Sequence, residues 1–515
     1  MGPRSIVRAL LALLVLCAPM AARAGDSPAD VLLSGEIGTS DLHTYVEAPF
    51  DVPAGVSRLS VSFHHDGAAQ RTTIDLGLFD PDRFRGWSGG DKSGFTVSAT
   101  DATPSYLPGA LPPGRWRLLL GVPNIRQGVT THYEARIHFD TMNATPAFSH
   151  FSDHPLRTGP GWFRGDLHMH TGHSDGHCRS QAGASTPCPV FRTVETAVAR
   201  GLDFISVTDH NTTSHAQDLR DLQPFFDQIL LIPGREMTTF TGHGNAFGVI
   251  DFIDFRIDGR HLPDANAMVD GVHRAGGVFS INHPSSPSGE VCMGCGWTAP
   301  GFDMSRADAV EVVNGGGLRS SGSIDGPTSG LGFWQGLLNQ GLHPTAIGGS
   351  DSHDADALSG PGAIGSPTTV VYADNLSERA ILAGLRTGRV FIDIDGVKGR
   401  SVDLSARAGE RTARMGDALH LVRGQKAILE VEVSGVPGGH VEFVADGKTT
   451  AEPSISTALT ASDHRAMSLA GDGGRHWINV RVRDAAGRLV LISNPVFVVP
   501  EGIRAKVLEP GRSPR

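Results

Sequence analysis

The chain has 515 residues, of which 39% are hydrophobic and 19% are charged, and its formal net charge at pH 7 is -10. This length exceeds what one hydrophobic core usually organises, and the composition is that of a folded globular protein, so we expect several globular domains. The acidic balance argues against nucleic acid as a partner, because a polyanion binds to a basic surface.

The first residues, MGPRSIVRALLALLVLCAPMAARAG, predict a secretory signal peptide over residues 1–24. Two arginines precede an apolar run that ends at Leu16, and a small-x-small cleavage sequence ends at Ala24. The run is shorter than the roughly 20 apolar residues of a membrane span, so we expect no membrane anchor. Cleavage near Ala24-Gly25 removes three arginines and no acidic residue, which changes the charge from -10 to -13 and leaves an exported, periplasmic or secreted protein.

Residues 25–150 alternate short β-rich runs, such as RLSVSFHH, TIDLGLF and RWRLLLGV, with glycine- and proline-rich turns such as LPGALPPG. Short strands separated by such turns are typical of an all-β domain. We therefore expect an N-terminal β-sandwich.

Residues 151–399 change to apolar runs that alternate with helical stretches, which predicts an α/β domain. The runs LDFISVTD, ILLIPGRE, GGVFSINH, DAVEVVN and PTAIGGSD are expected to be buried parallel strands. The stretches FRTVETAVARG, ANAMVDGVHRAGG, LGFWQGLLNQG and SERAILAGLRTG are expected to be helices closed by glycine.

Residues 400–500 return to short strands, such as AILEVEVSG, GHVEFVADG and HWINVRVRDAAG, and predict a C-terminal, immunoglobulin-like β-sandwich. Residues 501–515 contain three arginines and two prolines and are expected to form a flexible tail.

Four cysteines follow the signal peptide: Cys178, Cys188, Cys292 and Cys295. In an exported protein an even number of cysteines favours disulfides, here two, with the pairing open. A four-thiolate zinc site is the alternative, because Cys292-Met-Gly-Cys295 has the local spacing of such sites.

Nearly every predicted strand of the α/β domain ends in a potential metal ligand. His168 and His170 follow the first strand at a spacing of two, which places both side chains on one side of an extended chain. In a parallel βα barrel all strand ends open on one face, so ligands distant in sequence converge. The candidate ligands are His168, His170, Asp175, His210, Glu236, His243, His283, Asp351 and His353.

A metal centre explains this set better than chance does, because burying nine such groups without metal or partners is costly. Nitrogen and oxygen ligands suit zinc, manganese or iron. Ser174 and Ser352 are expected to be turn or supporting groups rather than nucleophiles. Neighbouring side chains are expected to orient ligands, contact substrate or lie at the surface (His173, His177, Asp209, Arg235, His215), and Trp297 and Trp334 to pack in the core or line a pocket.

The stretches DLHMHTGHSDG, VTDHN, the Glu236 segment, GHGN, NHP and GSDSH resemble, in order, the motifs of the PHP superfamily, the polymerase and histidinol phosphatase type of metallohydrolase. The resemblance covers about half the chain. The flanking β-rich regions, the secretion signal and segments such as DLGLFDPDRFRGWSGG resemble its exported CehA/McbA-like branch, which includes carbaryl hydrolases.

The resemblance implies a distorted (β/α)7 PHP barrel that holds two or three divalent ions, flanked by the two β-sandwiches. It places His168, His170, Glu236 and Asp351, the expected catalytic set, on the first ion. Glu236 would bridge to a second ion held by His243 and His283, and Asp175, His210 and His353 would hold a third. Many members have histidine where Asp175 stands, which leaves the occupancy of the third site open.

We therefore expect a metal-dependent hydrolase that acts on a small molecule through a metal-bridging hydroxide. A phosphoesterase is the first expectation, and a carbamate, ester or amide hydrolase is the alternative. A hypothesis from another class is a surface- or glycan-binding protein with a secondary barrel. It would require exposed aromatic residues in the N-terminal sandwich, such as Trp87 or Trp116.

Overall fold

The structure, a computed structural model, describes residues 29–90, 92–141, 154–289, 292, 294–450 and 458–502. The predicted signal peptide and nearly all of the predicted tail lie outside these residues. No helix of the described part is long and apolar enough to cross a membrane.

The N-terminal region consists of two four-stranded antiparallel sheets, in the orders β1-β8-β3-β6 and β2-β7-β4-β5. The strands are β1 (Val31–Gly38), β2 (Tyr45–Val52), β3 (Val56–His65), β4 (Thr73–Phe79), β5 (Phe84–Gly89), β6 (Gly94–Ser98), β7 (Gly114–Asn124) and β8 (Thr130–Thr141), with 3-10 turns at Thr39–Asp41 and Asp66–Gln70.

These two sheets share one hydrophobic core. On β7, Trp116, Leu118 and Leu120 are all buried, as expected for residues two apart on one face of a strand. They belong to the same cluster as Leu59 of β3 and Leu76 of β4, which joins both sheets. Because Trp116 is buried, it is not available to a surface ligand.

In the part of the middle region that the structure describes there are eleven strands and six helices. The strands are β9 (Gly161–Asp166), β10 (His177–Arg179), β11 (Ser185–Pro187), β12 (Phe204–Val207), β13 (Leu230–Thr239), β14 (Gly242–Phe247), β15 (Val278–Ile281), β16 (Ala309–Asn314), β17 (Thr345–Gly349), β18 (Thr368–Ala373) and β19 (Val390–Asp393). The helices are α1 (Val190–Ala199), α2 (Ala216–Leu222), α3 (Ala265–Arg274), α4 (Gly315–Ser321), α5 (Gly330–Asn339) and α6 (Glu378–Thr387), and Met304–Arg306 is a 3-10 turn.

The main sheet of this region runs in the order β17-β16-β15-β14-β13-β12-β9-β18-β19. Strand β12 is parallel to β9 and β13, and β16 is parallel to β15 and β17, whereas β14 is antiparallel to both of its neighbours. The five predicted strands are therefore present in parallel pairs, but β14 was not predicted.

Beyond the regular ladder, the chain after β9 meets the chain after β17. The Asp351 amide donates to the His168 carbonyl at 2.8 Å, and the His170 amide donates to the Ser352 carbonyl at 2.9 Å. Within the described residues these contacts form a single bridge, Met169 to Ser352, rather than a continuous ladder that closes a barrel. The closed (β/α)7 barrel stays a prediction.

The predicted helices correspond to α1, α3, α5 and α6, whereas α2 and α4 were not predicted. Side-chain caps explain two of the starts. Asp264 accepts from the Ala267 amide at α3, and Ser377 accepts from the Ala380 amide at α6. Gly388, at a φ of 74°, ends α6 in the left-handed conformation that favours glycine.

The C-terminal region adds ten strands within residues 400–450 and 458–502. They are β20 (Ser401–Ala408), β21 (Arg411–Arg414), β22 (Ala418–Leu421), β23 (Lys426–Ser434), β24 (His440–Ala445), β25 (Lys448–Thr449), β26 (Ser462–Ala470), β27 (His476–Arg483), β28 (Leu489–Ser493) and β29 (Val496–Pro500). Strands β21-β20-β23-β26 form a separate sheet, and residues such as Leu404, Val431 and Val480 pack it against the strands around β27.

One sheet crosses the predicted domain limit at residue 400. Strand β28 pairs with β19, through Phe391 opposite Ser493, and the ladder continues to β27 and β24. Among the described residues the main sheet therefore has 15 strands, a number that includes β22 and β29 at its side. The domain limits themselves stay predictions.

Candidate metal centre

Most of the predicted ligands lie just after strands of the main sheet, whereas Glu236 and His243 lie within β13 and β14. After β9, His168 and His170 are 0% and 3% exposed and point to one side, while Met169 between them packs into the hydrophobic core. Pairing continues beyond the regular strands, since the Thr208 amide donates to the Met169 carbonyl at 2.9 Å. This pairing fixes the two histidines relative to the chain that follows β12.

Glu236, on β13, lies at the centre of the group and is 1% exposed. Five histidines surround its carboxylate. The distances from Glu236 oxygens are 3.4 Å to His168 Nε2, 3.7 Å to His170 Nε2, 2.9 Å to His210 Nδ1, 3.4 Å to His243 Nδ1 and 3.2 Å to His283 Nε2.

Asp351 forms a second point of contact after β17. Its Oδ1 lies 3.3 Å from His168 Nε2, 3.2 Å from His170 Nε2 and 3.7 Å from His353 Nδ1. Asp351 and His283 both have positive φ, at 52° and 26°. Non-glycine residues in this region are strained, and such strain is concentrated at functional sites.

Asp175 forms an outer group with His210 and His353, and His170 adjoins it. Asp175 Oδ1 lies 3.4 Å from His353 Nε2, 3.7 Å from His210 Nε2 and 3.9 Å from His170 Nδ1. The Asp175 side chain is 58% exposed, so this group lies at the open side of the centre.

All nine predicted ligands are thus brought together. Several sets of their ligand atoms lie within 4.8 Å of one another and can hold a metal ion: His170, Asp175, His210 and His353; His168, His170 and Glu236; and His168, His283 and Asp351. A further set joins His243 and His283 to Cys295, which was not among the predicted ligands.

The buried carboxylates are held in their charged form. Burial raises the pKa of Glu236, but His168 and the other histidines outweigh it, so the pKa lies well below its usual value. The same balance lowers the pKa of Asp351. Burial lowers the pKa of His168, but Asp351, Glu311 and Glu236 hold it well above its usual value.

The outer group is polarised in the same way. Burial raises the pKa of Asp175, but the neighbouring histidines lower it to about 2. Burial lowers the pKa of His353, but Asp175 and Asp351 raise it to about 9. Glu236, Asp351 and Asp175 therefore all carry negative charge. A cation site requires such charge.

The surroundings of His168 Nε2 show whether a metal ion fits this centre. His168 Nε2 is buried and has no hydrogen-bond partner within the described structure, yet it faces the carboxylate oxygens of Glu236 and Asp351. A buried polar atom without a partner is costly, and a cation between nitrogen and oxygen atoms would satisfy it. The donor set fits a divalent metal ion.

Three supporting residues were missed by the sequence analysis. Glu311 of β16 lies 2.9 Å from His168 Nδ1 and accepts from the His283 amide at 2.9 Å. Asn282 donates to Glu236 Oε1 at 3.0 Å, and Asn314 donates to Asp351 Oδ2 at 3.2 Å. The one usable signal was a glutamate inside the apolar run AVEVVN, since charged residues are rarely buried without a partner.

Asp209 organises the loop before Asp175. It accepts from the Thr171 amide at 2.7 Å and from Ser174 Oγ at 2.6 Å, and it lies 3.0 Å from His215 Nδ1. Ser174 Oγ is thus bound by Asp209, and its supporting role stays a prediction. His215 is fully buried and also reaches the Gly234 carbonyl, at 3.1 Å.

The remaining candidates lie outside the ligand set. His173 contacts Asp218 at 2.8 Å, and Arg235 is buried and donates to the Asp251 carbonyl at 3.0 Å. His177 is exposed on β10, whereas Ser352 Oγ donates to the Asp354 carbonyl at 3.3 Å. Trp334 and Trp297 belong to the core, at 0% and 7% exposure.

The four cysteines form two disulfides, Cys178–Cys188 and Cys292–Cys295. The first joins the chain at β10 and β11, and the second lies in the loop after β15. The predicted number of disulfides is confirmed, and the four-thiolate zinc site is not formed.

No known protein-family model matches the sequence, and no curated protein matches it. Among solved structures, five chains match. One of them is a mutant of Xylanase10C from Cellvibrio japonicus in complex with xylopentaose, at 6% sequence identity and a TM-score of 0.14. The match covers 48% of this chain and 49% of that chain. A likeness at this TM-score carries no argument about fold or function.

Proposed function

We propose that the chain is a metal-dependent hydrolase and that its substrates are phosphoesters. The observation that carries the proposal is the convergence of five histidines on the buried Glu236 carboxylate, some of which also contact Asp351 or Asp175. The resemblance of these segments to the motifs of the PHP superfamily supports the same conclusion. Export to the periplasm or the medium is part of the proposal.

His168, His170, Glu236 and Asp351 would hold the first ion. Glu236 would be shared with His243 and His283 for the second, and Asp175, His210 and His353 would hold the third. Nitrogen and oxygen donors suit zinc, manganese or iron. When bound, such ions supply Lewis acidity and lower the pKa of a coordinated water toward neutrality.

Residues of the chain keep the candidate ligands charged and correctly oriented. The carboxylates of Glu236 and Asp351 stay ionised in a buried site because imidazoles surround them. Glu311 and Asn282 orient His168 and Glu236, which limits their reorganisation. The exposed side of Asp175 leaves access for a small molecule, and a third ion there would neutralise a phosphate dianion.

Hydrolysis of a carbamate, ester or amide is the second candidate. It is supported by the resemblance of segments such as DLGLFDPDRFRGWSGG to the exported CehA/McbA-like branch, which includes carbaryl hydrolases.

The deciding experiment compares 1-naphthyl phosphate with 1-naphthyl methylcarbamate on protein loaded with zinc or manganese. Both substrates release the same naphthol, so the assay differs only in the bond that is cleaved. We expect faster turnover of the phosphate. Preference for the carbamate would replace the first candidate by the second, and no turnover of either by metal-loaded protein would contradict both.

Alanine variants test the ligand assignment. His168→Ala, Glu236→Ala and Asp351→Ala are expected to abolish turnover and to lower the metal content measured by elemental analysis. Asp175→Ala is expected to remove only one ion. Full activity of any of the first three would contradict the assignment, and unchanged stoichiometry in the fourth would count against a third ion.

A further inference from the structure

Cys295 lies beside the two histidines that we assign to the second ion. The ligand atoms of His243, His283 and Cys295 all lie within 4.8 Å of one another, and Cys295 is 2% exposed. Two imidazole nitrogens and one sulfur form a donor set that zinc binds well. The three side chains come from β14, from the end of β15 and from the loop that follows, so tertiary folding assembles them.

The backbone on both sides of Cys295 is packed too closely to move freely. Gly294 and Gly296 each have a φ of 80°. A Cβ at Gly294 would lie 2.2 Å from the Thr239 carbonyl oxygen, and one at Gly296 would lie 2.5 Å from the Ser286 carbonyl oxygen. The loop is therefore held between the β13–β14 hairpin and the chain after His283.

Hydrogen bonds complete this anchoring. The Trp297 amide donates to the Pro284 carbonyl at 2.9 Å, and the Thr298 amide donates to the Thr241 carbonyl at 2.8 Å. These contacts hold the backbone around Cys295 next to the histidines.

In the structure Cys295 is bonded to Cys292. A thiolate is a strong metal ligand, whereas a sulfur that is committed to a disulfide is not available as one. The same sulfur therefore has two states with different ligand properties.

We propose that Cys295 is a redox-controlled ligand of a metal ion held by His243 and His283. Its disulfide with Cys292 withholds the sulfur, and reduction releases it to join His243 and His283. The inference rests on the proposed function, because it requires a metal ion at this place. A dithiol reductant supplies two electrons: the Cys292–Cys295 bond breaks, two thiols form on the chain, and the reductant becomes a disulfide. When Cys295 binds metal, its proton goes to solvent.

The added ligand changes what the ion can do. Catalytic zinc sites keep an open position for water or substrate, whereas structural sites are closed by protein ligands. In the reduced protein, zinc would therefore be bound more tightly and the rate of substrate turnover would be lower. Manganese prefers oxygen ligands, so the manganese-loaded protein responds less.

Two variants of the full chain separate this role from a loop brace. Cys292→Ser and Cys295→Ser both lack the disulfide, but only the first keeps a sulfur beside the histidines. With cobalt in place of zinc, we expect thiolate-to-cobalt charge-transfer absorption in Cys292→Ser and in wild type treated with dithiothreitol. We expect none in oxidised wild type or in Cys295→Ser. Zinc loss to a chelator should be at least about tenfold slower in Cys292→Ser than in Cys295→Ser.

The outcomes distinguish a failure of the proposed function from a failure of the proposal for Cys295. If oxidised wild type binds no metal, the proposed function fails. If it binds metal but reduced wild type and Cys292→Ser show no sulfur absorption, the inference fails alone. Dithiothreitol treatment of Cys295→Ser controls for reduction of Cys178–Cys188, and reduced wild type carries the test if Cys292→Ser does not fold.

Discussion

Single side chains determine the charge and the geometry of the candidate metal centre. Glu236 supplies the charge, and Glu311 orients the histidines. A buried carboxylate is costly unless it is paired, and Glu236 meets this requirement with five imidazoles. The imidazoles in turn need orientation. Glu311 supplies it for His168 through the ring nitrogen and for His283 through the backbone amide.

Glu311→Gln tests this positioning role. The substitution keeps the size of the side chain but removes its charge and one acceptor, so His168 is less firmly oriented. Metal affinity measured by calorimetric titration is expected to fall about 10- to 100-fold. Glu430→Gln, on the C-terminal sheet, is the control and should leave affinity unchanged. An unchanged affinity in Glu311→Gln would show that His168 needs no support from Glu311.

The close approach of neighbouring strands positions the candidate ligands. The end of β17 and the chain after β9 are an example. Gly349 ends β17 next to the chain after β9. A Cβ at this position would lie 2.4 Å from Glu311 Oε1 and 2.4 Å from His168 Cβ. The missing side chain of Gly349 therefore makes room for a ligand and for the residue that orients it.

Gly349→Ala is expected to disturb the centre from within the sheet. Overpacking of this kind costs about 1–3 kcal/mol, which urea denaturation would detect, and metal content should fall with it. Gly336→Ala, in α5, is the control: its Cβ meets nothing within 4 Å, and alanine favours a helix. A Gly349→Ala protein with full stability and full metal content would contradict the packing argument.

The candidate ligands could be singled out from the sequence because strand spacing is a local property. His168 and His170, two apart, had to share one side of an extended chain. Strand β14 could not be predicted, because GHGNAF contains two glycines and no β-branched residue and is held by pairing on both sides. Cys295 as a neighbour of His243 depends on loop packing that has no local signal.

Contacts between the N-terminal and middle regions join distant parts of the molecule. Asp101 makes the clearest of these contacts. It is fully buried and accepts from Arg58 at 2.7 Å within the N-terminal sheets and from Arg220 of α2. Gln217 adds hydrogen bonds to both backbone groups of Ala102, at 2.8 and 3.0 Å. The N-terminal sheets are thus joined to the helix that follows His210.

Asp101→Asn is expected to destabilise the protein in a pH-dependent way. Burial raises the pKa of Asp101, but Arg58 and Arg220 outweigh it, so the folded pKa lies below the usual value. The wild-type advantage is therefore fully present above the unfolded pKa of about 3.9 and is lost as pH falls through the folded pKa. At pH 7 breaking such a buried pair costs about 3–5 kcal/mol.

Urea denaturation of wild type and Asp101→Asn at several pH values checks this expectation. Asp51→Asn is the matched control, because its partner Arg115 is exposed, and its effect should stay below about 1 kcal/mol. An Asp101→Asn effect that stays constant down to pH 2 would contradict an electrostatic origin.

The pairing of β19 with β28 limits how the chain can be divided. Hydrogen bonds between these strands attach the C-terminal strands to the sheet that positions the metal ligands. A chain shortened at residue 400 would leave β19 with unpaired backbone groups along its whole outer edge, and such an edge recruits other chains. We therefore expect the C-terminal strands to protect this edge from aggregation, and we expect their loss to disturb the candidate metal centre although they carry none of its candidate ligands.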